Sequence, residues 1–408
     1  MMPTRRVFLA GSLAAPAILK GANTRSWAEI EKLLARGDVK GQVAKDDLPT
    51  PALILDLDAF EANVAKMSSY VRERGRALRP HAKTHKCAEI AKFLIRSGAV
   101  GACAAKISEA EALAAEGVSG LLITSAVVGR DKMARALRLA GRRPETIFSV
   151  DNARHIEELN EAAGAARLKL NLAIDLLVSG RTGIQPGPPA VALAELIDSL
   201  PNVTLAGIQA YAGQASHTKG FEKRRQVSQE AMGQAVETRR QIGSKGIECR
   251  LLSGGSTGTY NIDSEIEGIT ELQPGSYIFM DIDYNRIGGA DGGEVYRDFQ
   301  NSLTVLTTVI SKPADSFAIV DGGFKAFSTD RAFTPEAKGI GNVPYAWGGD
   351  EHGRLTLAGA SRTISLGDRI EFVVPHCDPT VNLYDRIYAC RGNQLEAVWR
   401  VTARGMSQ

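Results

Sequence analysis

The sequence predicts an α/β protein in which a (β/α)8 TIM-like barrel is followed by a C-terminal β domain. About eight strand-like segments alternate with helical patterns rich in Ala, Leu and Glu between residues 76 and 281. Glycines become frequent beyond Asp281, and runs of β-branched or alternating residues replace the helical periodicity. This pattern is typical of a β-sheet. A doubly wound sheet is the alternative for the first part, but such a sheet does not require eight strands.

The N-terminus is typical of a twin-arginine signal peptide, which we place at residues 1–25. Arg5 and Arg6 precede Phe8 and Leu9, and a weakly apolar stretch that contains Pro16 follows. This stretch is shorter than the roughly 20 apolar residues that span a bilayer. We therefore predict export in the folded state to the periplasm, with cleavage near residues 21–22; a cytosolic N-terminal helix is the alternative.

The charge of the predicted mature chain excludes some partners. Removing residues 1–22 takes away three basic residues and no acid, so the formal charge falls from +3 to 0. A near-neutral chain gives no reason to expect nucleic acid or an anionic membrane as a partner. The five cysteines are odd in number and scattered, so no disulfide framework is recognisable.

The elements follow in order. Residues 26–56 predict a helix at 27–44 and a strand at 52–56, and this strand is expected to pack partly with the β domain. Residues 57–283 form the predicted barrel, whose first helix at 59–74 is capped by Asp58 and ends at Gly75. Residues 284–408 form the predicted β domain. The barrel strands are predicted at 76–81, 99–105, 120–125, 146–150, 168–175, 205–212, 248–253 and 277–281.

A basic run, residues 79–86, ends the first predicted barrel strand. On a strand alternate side chains share a face, so His81, Lys83 and His85 are expected to point the same way. Two imidazoles beside an amine are costly to place in a barrel interior, which favours a Schiff-base lysine. A solvated surface run is the alternative.

Three further features follow predicted strands, at the end of a barrel where active sites lie. The loop 253–259 could bind phosphate oxygens through backbone N–H groups and hydroxyls, including those of Ser256 and Thr257. Arg181 follows the fifth strand and Tyr211 ends the sixth. A simple turn, a surface arginine and a core tyrosine are the alternatives. Together with the lysine, the phosphate loop suggests pyridoxal 5′-phosphate (PLP).

The segment 375–380 carries a candidate metal motif. His376 and Asp378 are two residues apart, so on an extended segment they share a face and can bind one ion, with the Cys377 thiol facing away. An imidazole with a carboxylate suits Mn²⁺, Mg²⁺ or Zn²⁺, with water in the open positions. A capped β-turn at Asp378 and Pro379 is the alternative.

These motifs resemble the alanine-racemase-like (fold-type III) PLP enzymes, in the branch of the D-threonine aldolases and D-serine dehydratases. Residues 51–75, 181–183 and the glycine loop carry the general likeness, whereas 79–86, 321–325 and 375–380 carry the specific one. The resemblance implies that Lys83 carries PLP and that Arg181 hydrogen-bonds its phenolic oxygen. It also implies further cofactor-binding residues, which are Tyr211, Thr257, Gly275, Ser276 and Tyr277.

The expected reaction is the metal-dependent retro-aldol cleavage of a β-hydroxy-D-amino acid, such as D-threonine to glycine and acetaldehyde. The dehydratases resemble a His-x-Cys form of the metal motif, and Asp378 departs from it, which favours the aldolase. We predict His85 as the base for the hydroxyl proton, with His81 or a metal-bound water as substitutes. Dehydration, racemisation and a non-catalytic PLP carrier are the alternatives. We also expect a homodimer with a small-molecule substrate and no stable membrane association.

Overall fold

A computed structural model describes residues 27–37 and 39–408. The predicted signal peptide at 1–25 lies outside the described residues. Across the described ranges, no helix is both long enough and apolar enough to span a membrane.

The barrel is present as eight parallel strands, which lie side by side in the order 77–78, 271–272, 251–254, 203–210, 170–175, 147–150, 121–123 and 102–104. A bridge between His81, which follows the first of these strands, and Cys103 in the last completes the circle. The strands are β2 (Ala77–Leu78), β3 (Ala102–Ala104), β4 (Leu121–Ile123), β5 (Ile147–Val150), β6 (Leu170–Asp175), β7 (Val203–Ala210), β8 (Leu251–Gly254) and β9 (Glu271–Leu272). The predicted (β/α)8 fold is thereby confirmed.

The eighth strand is the one that the sequence misplaced. It is Glu271–Leu272, and residues Ser276–Ile278, which overlap the start of the strand predicted at 277–281, form a 3-10 turn. Pro274 follows the strand and lacks the N–H group that would extend the ladder, so the strand is short and its periodicity is not visible in the sequence.

The helices cover the barrel and bound its mouth. They are α1 (Trp27–Arg36), α2 (Leu57–Glu73), α3 (Ala88–Arg96), α4 (Ile107–Ala115), α5 (Arg130–Arg142), α6 (Ala153–Ala166), α7 (Pro188–Ser199), α8 (Gly213–Ser216), α9 (Phe221–Ser244), α10 (Tyr260–Asp263), α11 (Ile282–Asn285) and α12 (Cys377–Val381). Two boundaries differ from the prediction. Helix α1 ends at Arg36 because Gly37 adopts a positive φ of 70°. Helix α2 is capped by Asp56, whose carboxylate accepts from the N–H of Ala59 at 3.2 Å, and not by Asp58.

The C-terminal β domain is one sheet of nine strands to which the early strand β1 (Ala52–Asp56) belongs. Strand β1 pairs antiparallel with residues 303–306 of β10 (Leu303–Ala314) and parallel with residues 388–390 of β16 (Arg386–Arg391). The other strands are β10 (Leu303–Ala314), β11 (Phe317–Val320), β12 (Glu336–Ala337), β13 (Tyr345–Trp347), β14 (Gly353–Thr356), β15 (Arg369–Val373), β16 (Arg386–Arg391) and β17 (Gln394–Arg400).

Hydrogen bonds fix the β domain to the mouth of the barrel. The N–H groups of Ile282 and Asp283 donate to the carbonyls of Val374 and Pro375 at 3.1 and 3.2 Å. The buried carboxylate of Asp281 accepts from the N–H of Cys377 at 2.8 Å and from that of Tyr284 at 2.9 Å. Helices α11 and α12 are thus held together, and α12 lies against the turn that carries Lys83.

Candidate active site

Lys83 lies in a 3-10 turn, Ala82–Thr84, beyond the end of β2. The expected common face of His81, Lys83 and His85 on a strand is therefore wrong, because Pro80 has no N–H group with which to continue the ladder. The turn is closed by His81, whose Nδ1 accepts from the N–H of Lys83 at 3.3 Å. The amine is thus presented by a tight turn at the C-terminal end of the barrel.

A cavity of about 200 Å³ opens beside Lys83. It lies at the ends of several barrel strands, the place where barrel enzymes build their sites. The side chains around it are mostly polar, and two residues predicted from the sequence, Arg181 and Tyr211, are among them. The lining consists of His81, Lys83, Ala105, Thr124, Ser125, Asp175, Leu176, Ser179, Arg181, Thr182, Gln209, Tyr211 and Gln273.

Tyr211 stands next to both cations of the cavity. Nζ of Lys83 lies 5.5 Å and Cζ of Arg181 5.1 Å from the centroid of its ring. Burial disfavours the charged amine of Lys83, but Tyr211 and the carboxylate of Asp378 outweigh this effect and raise its pKa. The structure thus brings Lys83, Arg181 and Tyr211 together.

Asp378 brings the metal motif to the lysine. Burial alone would raise the pKa of this carboxyl, but the neighbouring charges of Lys83 and His376 lower it. The hydroxyl of Ser276 lies 3.5 Å from Oδ1 of Asp378. The β domain therefore contributes a carboxylate to the site in the barrel.

His376 and Asp378 are close to each other, but not in the way that the sequence suggested. His376 is extended and precedes α12, whereas Asp378 is in the first turn of that helix, so the two do not share a strand face. The Cys377 thiol does not face away either, since Sγ lies 3.4 Å from Oδ1 of Asp378. Helix formation after His376 is the cause, because it turns the side chains that follow by about 100° per residue.

The two metal-motif residues alone could form only an open metal site. Among the described residues no three His, Cys, Asp or Glu side chains converge on one point. Nδ1 of His376 lies 2.7 Å from Oδ2 of Asp330, an arrangement that leaves Nε2 for a metal ion. One imidazole and one carboxylate fit a divalent ion that keeps several waters, such as Mg²⁺ or Mn²⁺, and do not form a closed zinc site.

His217 belongs to the site and escaped the sequence analysis. Its Nδ1 lies 3.1 Å from Oδ2 of Asp283, and its ring centroid is 4.4 Å from that of Tyr284. Burial lowers the pKa of His217, and the charges of His376 and Asp378 reach it. The signal was its position: it follows β7 by seven residues, in a loop at the C-terminal end of the barrel. Asp283 and Asp330 left no comparable signal, since their roles depend on contacts between loops distant in sequence.

The two histidines beside Lys83 are buried. Burial, and then the Lys83 ammonium, lower the pKa of His81. Burial lowers the pKa of His85 to about 4. Nδ1 of His85 accepts from the N–H of Cys87 at 3.1 Å, and its Nε2 has no hydrogen-bond partner within the described ranges. Both imidazoles are therefore neutral at neutral pH, and because each Nδ1 accepts from a backbone N–H, the ring proton is on Nε2.

The remaining predicted cofactor residues form a closely packed pair of loops beside the cavity. A Cβ atom at Gly254 would lie 2.1 Å from the carbonyl oxygen of Ala210, and one at Gly275 would lie 2.5 Å from Oγ1 of Thr84 in the lysine turn. The N–H of Tyr277 donates to Oγ1 of Thr257 at 2.9 Å. The Tyr277 hydroxyl is buried and has no hydrogen-bond partner in the part of the chain that is described. This orphaned donor and the close-packed glycines fit a cradle for a phosphate group.

Ser256 is held inside the same loop. Its N–H donates to Oγ1 of Thr259 at 3.0 Å, and the two hydroxyl oxygens are also 3.0 Å apart. Ser256, Thr257, Gly275, Ser276 and Tyr277 therefore lie together next to the lysine turn, although none of them lines the cavity itself.

Comparison with known proteins agrees with this architecture. The alanine racemase N-terminal domain family matches residues 55–283, and a serine dehydratase domain matches residues 302–390. A D-threonine aldolase of Arthrobacter sp. is 37% identical over 360 residues, which are 88% of this chain and 93% of that protein. A 3-hydroxy-D-aspartate aldolase of Paracoccus denitrificans is 36% identical over 364 residues, with the same coverage of 88% and 93%.

The crystal structure of D-threonine aldolase from Filomicrobium marinum is similar over both domains. It superposes with a TM-score of 0.84 at 36% identity, covering 91% of this chain and 99% of that one. The predicted resemblance is thereby confirmed. The chain is a lyase that belongs to the alanine-racemase-like family of PLP-dependent enzymes, in the branch that contains the D-threonine aldolases.

Proposed function

We propose that the protein cleaves β-hydroxy-D-amino acids by a PLP- and metal-dependent retro-aldol reaction, with D-threonine giving glycine and acetaldehyde. The observation that carries this proposal is the place of Asp378. The charges of the Lys83 amine and of His376 both act on its carboxylate. One site could thus hold both reacting parts of the substrate. The amine-bearing α-carbon would lie at Lys83, and the β-hydroxyl would lie at the metal motif.

Lys83 would hold PLP, whose ring supplies the sink for the electrons of the broken Cα–Cβ bond. Arg181 and Tyr211 line the cavity at the amine, and the loops with Thr257 and Gly275 form the candidate phosphate cradle. His376 and Asp378 would hold the divalent ion, which lowers the pKa of the substrate hydroxyl.

Two imidazoles are candidates to take the hydroxyl proton. Nδ1 of His217 lies 3.1 Å from Oδ2 of Asp283 without hydrogen-bond geometry, and a carboxylate at this distance would favour a proton on Nδ1 and leave Nε2 to act as a base. His85, predicted from the sequence, is deeply buried, and its Nδ1 accepts from the N–H of Cys87, so its unpartnered Nε2 carries the proton of the neutral ring. We propose His217 as the base, because it is more accessible and has a carboxylate close to Nδ1.

The carboxylate of Asp378 favours cleavage over dehydration. Oxygen ligands suit hard, weakly bound ions such as Mn²⁺ or Mg²⁺. Held by His376 and Asp378, such an ion would supply charge stabilisation at the substrate oxygen and would not favour loss of hydroxide. Cleavage requires a base at the hydroxyl, and His217 meets this requirement through its proximity to His376 and Asp378.

A coupled assay tests the proposal. Purified protein loaded with PLP and Mn²⁺ should release glycine from D-threonine, should leave L-threonine unchanged, and should lose activity on chelation. A racemase or a PLP carrier would be insensitive to chelation. Export to the periplasm and the homodimer remain predictions, which cell fractionation of the full-length chain and light scattering of the purified protein would check.

A further inference from the structure

Arg224 is a fully buried arginine in the first turn of α9. Its guanidinium donates four hydrogen bonds, all to backbone carbonyls. Nε donates to Gly258 at 2.7 Å, Nη1 to Thr218 and Ile287 at 3.0 and 2.8 Å, and Nη2 to Gly288 at 2.9 Å. One side chain thus joins three separate stretches of chain.

Each of these stretches borders the candidate active site. Gly258 ends the glycine loop, Thr218 follows His217, and Ile287 and Gly288 follow the helix that carries Asp283. The loops also pack directly, since a Cβ atom at Gly258 would lie 2.1 Å from the carbonyl oxygen of Ser216. Arg224 therefore sets the position of the glycine loop relative to His217.

The charge of Arg224 is not balanced within the described chain. No carboxylate among the described residues forms an ion pair with it, and it lies over the rings of Phe221 and Tyr296 at 5.5 and 5.8 Å. Asp298 interacts with it at longer range and accepts a hydrogen bond from the Tyr260 hydroxyl at 3.0 Å. A guanidinium stays charged in proteins, and burying it without a counter-ion is costly.

A buried acid also lies against the glycine loop. The carboxylate of Asp263 accepts from the hydroxyls of Ser228 and Thr259, at 2.5 Å each. A phosphate placed in this loop would be repelled by an ionised Asp263, so the loop needs a permanent positive charge behind it to bind a dianion.

We propose that Arg224 is a positioning residue that provides the buried positive charge of the glycine loop, and that the phosphomonoester dianion of the cofactor compensates this charge. The inference rests on the proposed PLP dependence. It attributes the protein's preference for a phosphorylated cofactor to Arg224. This residue lies behind the glycine loop and contacts it through the carbonyl of Gly258.

Affinities of the apoprotein for PLP and for pyridoxal, measured by absorbance titration, test this without any substrate. Arg224→Gln removes the charge and should reduce the preference for PLP over pyridoxal by about tenfold or more. Arg224→Lys keeps the charge and should stay within about threefold of the wild-type preference.

Arg239→Gln is the matched control. Arg239 lies on the same helix and donates to the carbonyls of Cys249, Gly268 and Arg250 at 2.8, 2.9 and 3.2 Å, away from the glycine loop. Its loss should lower stability and leave the preference for PLP unchanged.

The inference is overturned if a folded Arg224→Gln protein keeps the wild-type preference, or if Arg239→Gln loses as much. Should Arg224→Gln not fold, Arg224→Lys decides, since a loss of about tenfold in that variant would contradict the role of the charge. A wild-type protein that binds pyridoxal as well as PLP overturns this inference alone. A wild-type protein that binds neither overturns the proposed function as well.

Discussion

Nδ1 of His217 lies 3.1 Å from Oδ2 of Asp283, without hydrogen-bond geometry, and the charges of His376 and Asp378 reach the same imidazole. The same Asp283 oxygen accepts from Nε of Arg331 at 2.7 Å, so the carboxylate is itself fixed. A histidine beside a carboxylate is the usual arrangement of a general base.

His217→Gln should reduce kcat by about 10²- to 10⁴-fold, because a general base contributes that much. The absorbance spectrum of bound PLP should not change, since His217 does not line the cavity at Lys83. His352→Gln, at an exposed histidine of the β domain, is the control and should keep full activity. If His85→Gln loses the activity and His217→Gln retains it, His85 is the base and our assignment is wrong.

Lys83→Ala should abolish the yellow colour and the borohydride-reducible adduct of the PLP-loaded protein. Lys86 is unsuited to this role, because its amine pairs with Glu109 at 2.8 Å. Lys106→Ala is the control and should keep both signals. Mass spectrometry of the trapped peptide provides the check, and a label on Lys86 or Lys106 would refute the assignment.

Asp378→Ala should lose the divalent ion and about 100-fold or more of the activity, while PLP remains bound. Asp330→Asn should weaken Mn²⁺ binding by about 10- to 100-fold, because Asp330 orients the imidazole of His376. Metal analysis and Mn²⁺ titration of the activity provide the measurement, with the exposed Asp385→Asn as the control. Unchanged metal content in Asp378→Ala would contradict the site.

Only part of the candidate site could be predicted from the sequence. Lys83, Arg181 and Tyr211 could be found because each follows a barrel strand, and the geometry of a barrel brings such positions to one face. The spacing of His376 and Asp378 suggested a metal motif, but only His376 is extended, and Asp378 lies in the first turn of a helix. His217, Asp283 and Asp330 come together through packing between the barrel and the β domain, which no local pattern encodes. The strand Glu271–Leu272 has two residues and shows no periodicity that could be read.

Asp263 predicts a pH dependence of stability. Burial raises the pKa of its carboxyl from 3.8 to about 6, although the hydrogen bonds from Ser228 and Thr259 act to lower this pKa. The raised pKa means that the folded state binds the proton more tightly than the unfolded state. The stabilisation by this group is thus complete below the unfolded pKa and is lost as the pH rises through about 6.

Relative to Asp263→Asn, the wild-type apoprotein should lose on the order of 3 kcal/mol of unfolding free energy between about pH 4 and pH 7. Urea denaturation of both proteins across this range gives the difference. Asp198→Asn, at an exposed position of α7, is the control and should follow the wild-type curve. A wild-type stability that rises relative to Asp263→Asn over this interval would show that the carboxyl is not held protonated.

The choice between cleavage and dehydration depends on the ligand at position 378. Asp378→Cys restores the His-x-Cys form that the sequence departs from, and a softer ligand set favours Zn²⁺. If the carboxylate determines the outcome, this variant with Zn²⁺ should yield a larger share of 2-oxo acid than the wild type with Mn²⁺. An unchanged product ratio would show that other residues make the choice.

The most direct test is quantification of both product pairs after incubation of the PLP-loaded wild-type protein with D-threonine and Mn²⁺. We predict glycine and acetaldehyde in equal amounts, with no 2-oxobutanoate. The appearance of 2-oxobutanoate and ammonia in their place would contradict the proposed aldolase activity and establish the protein as a dehydratase.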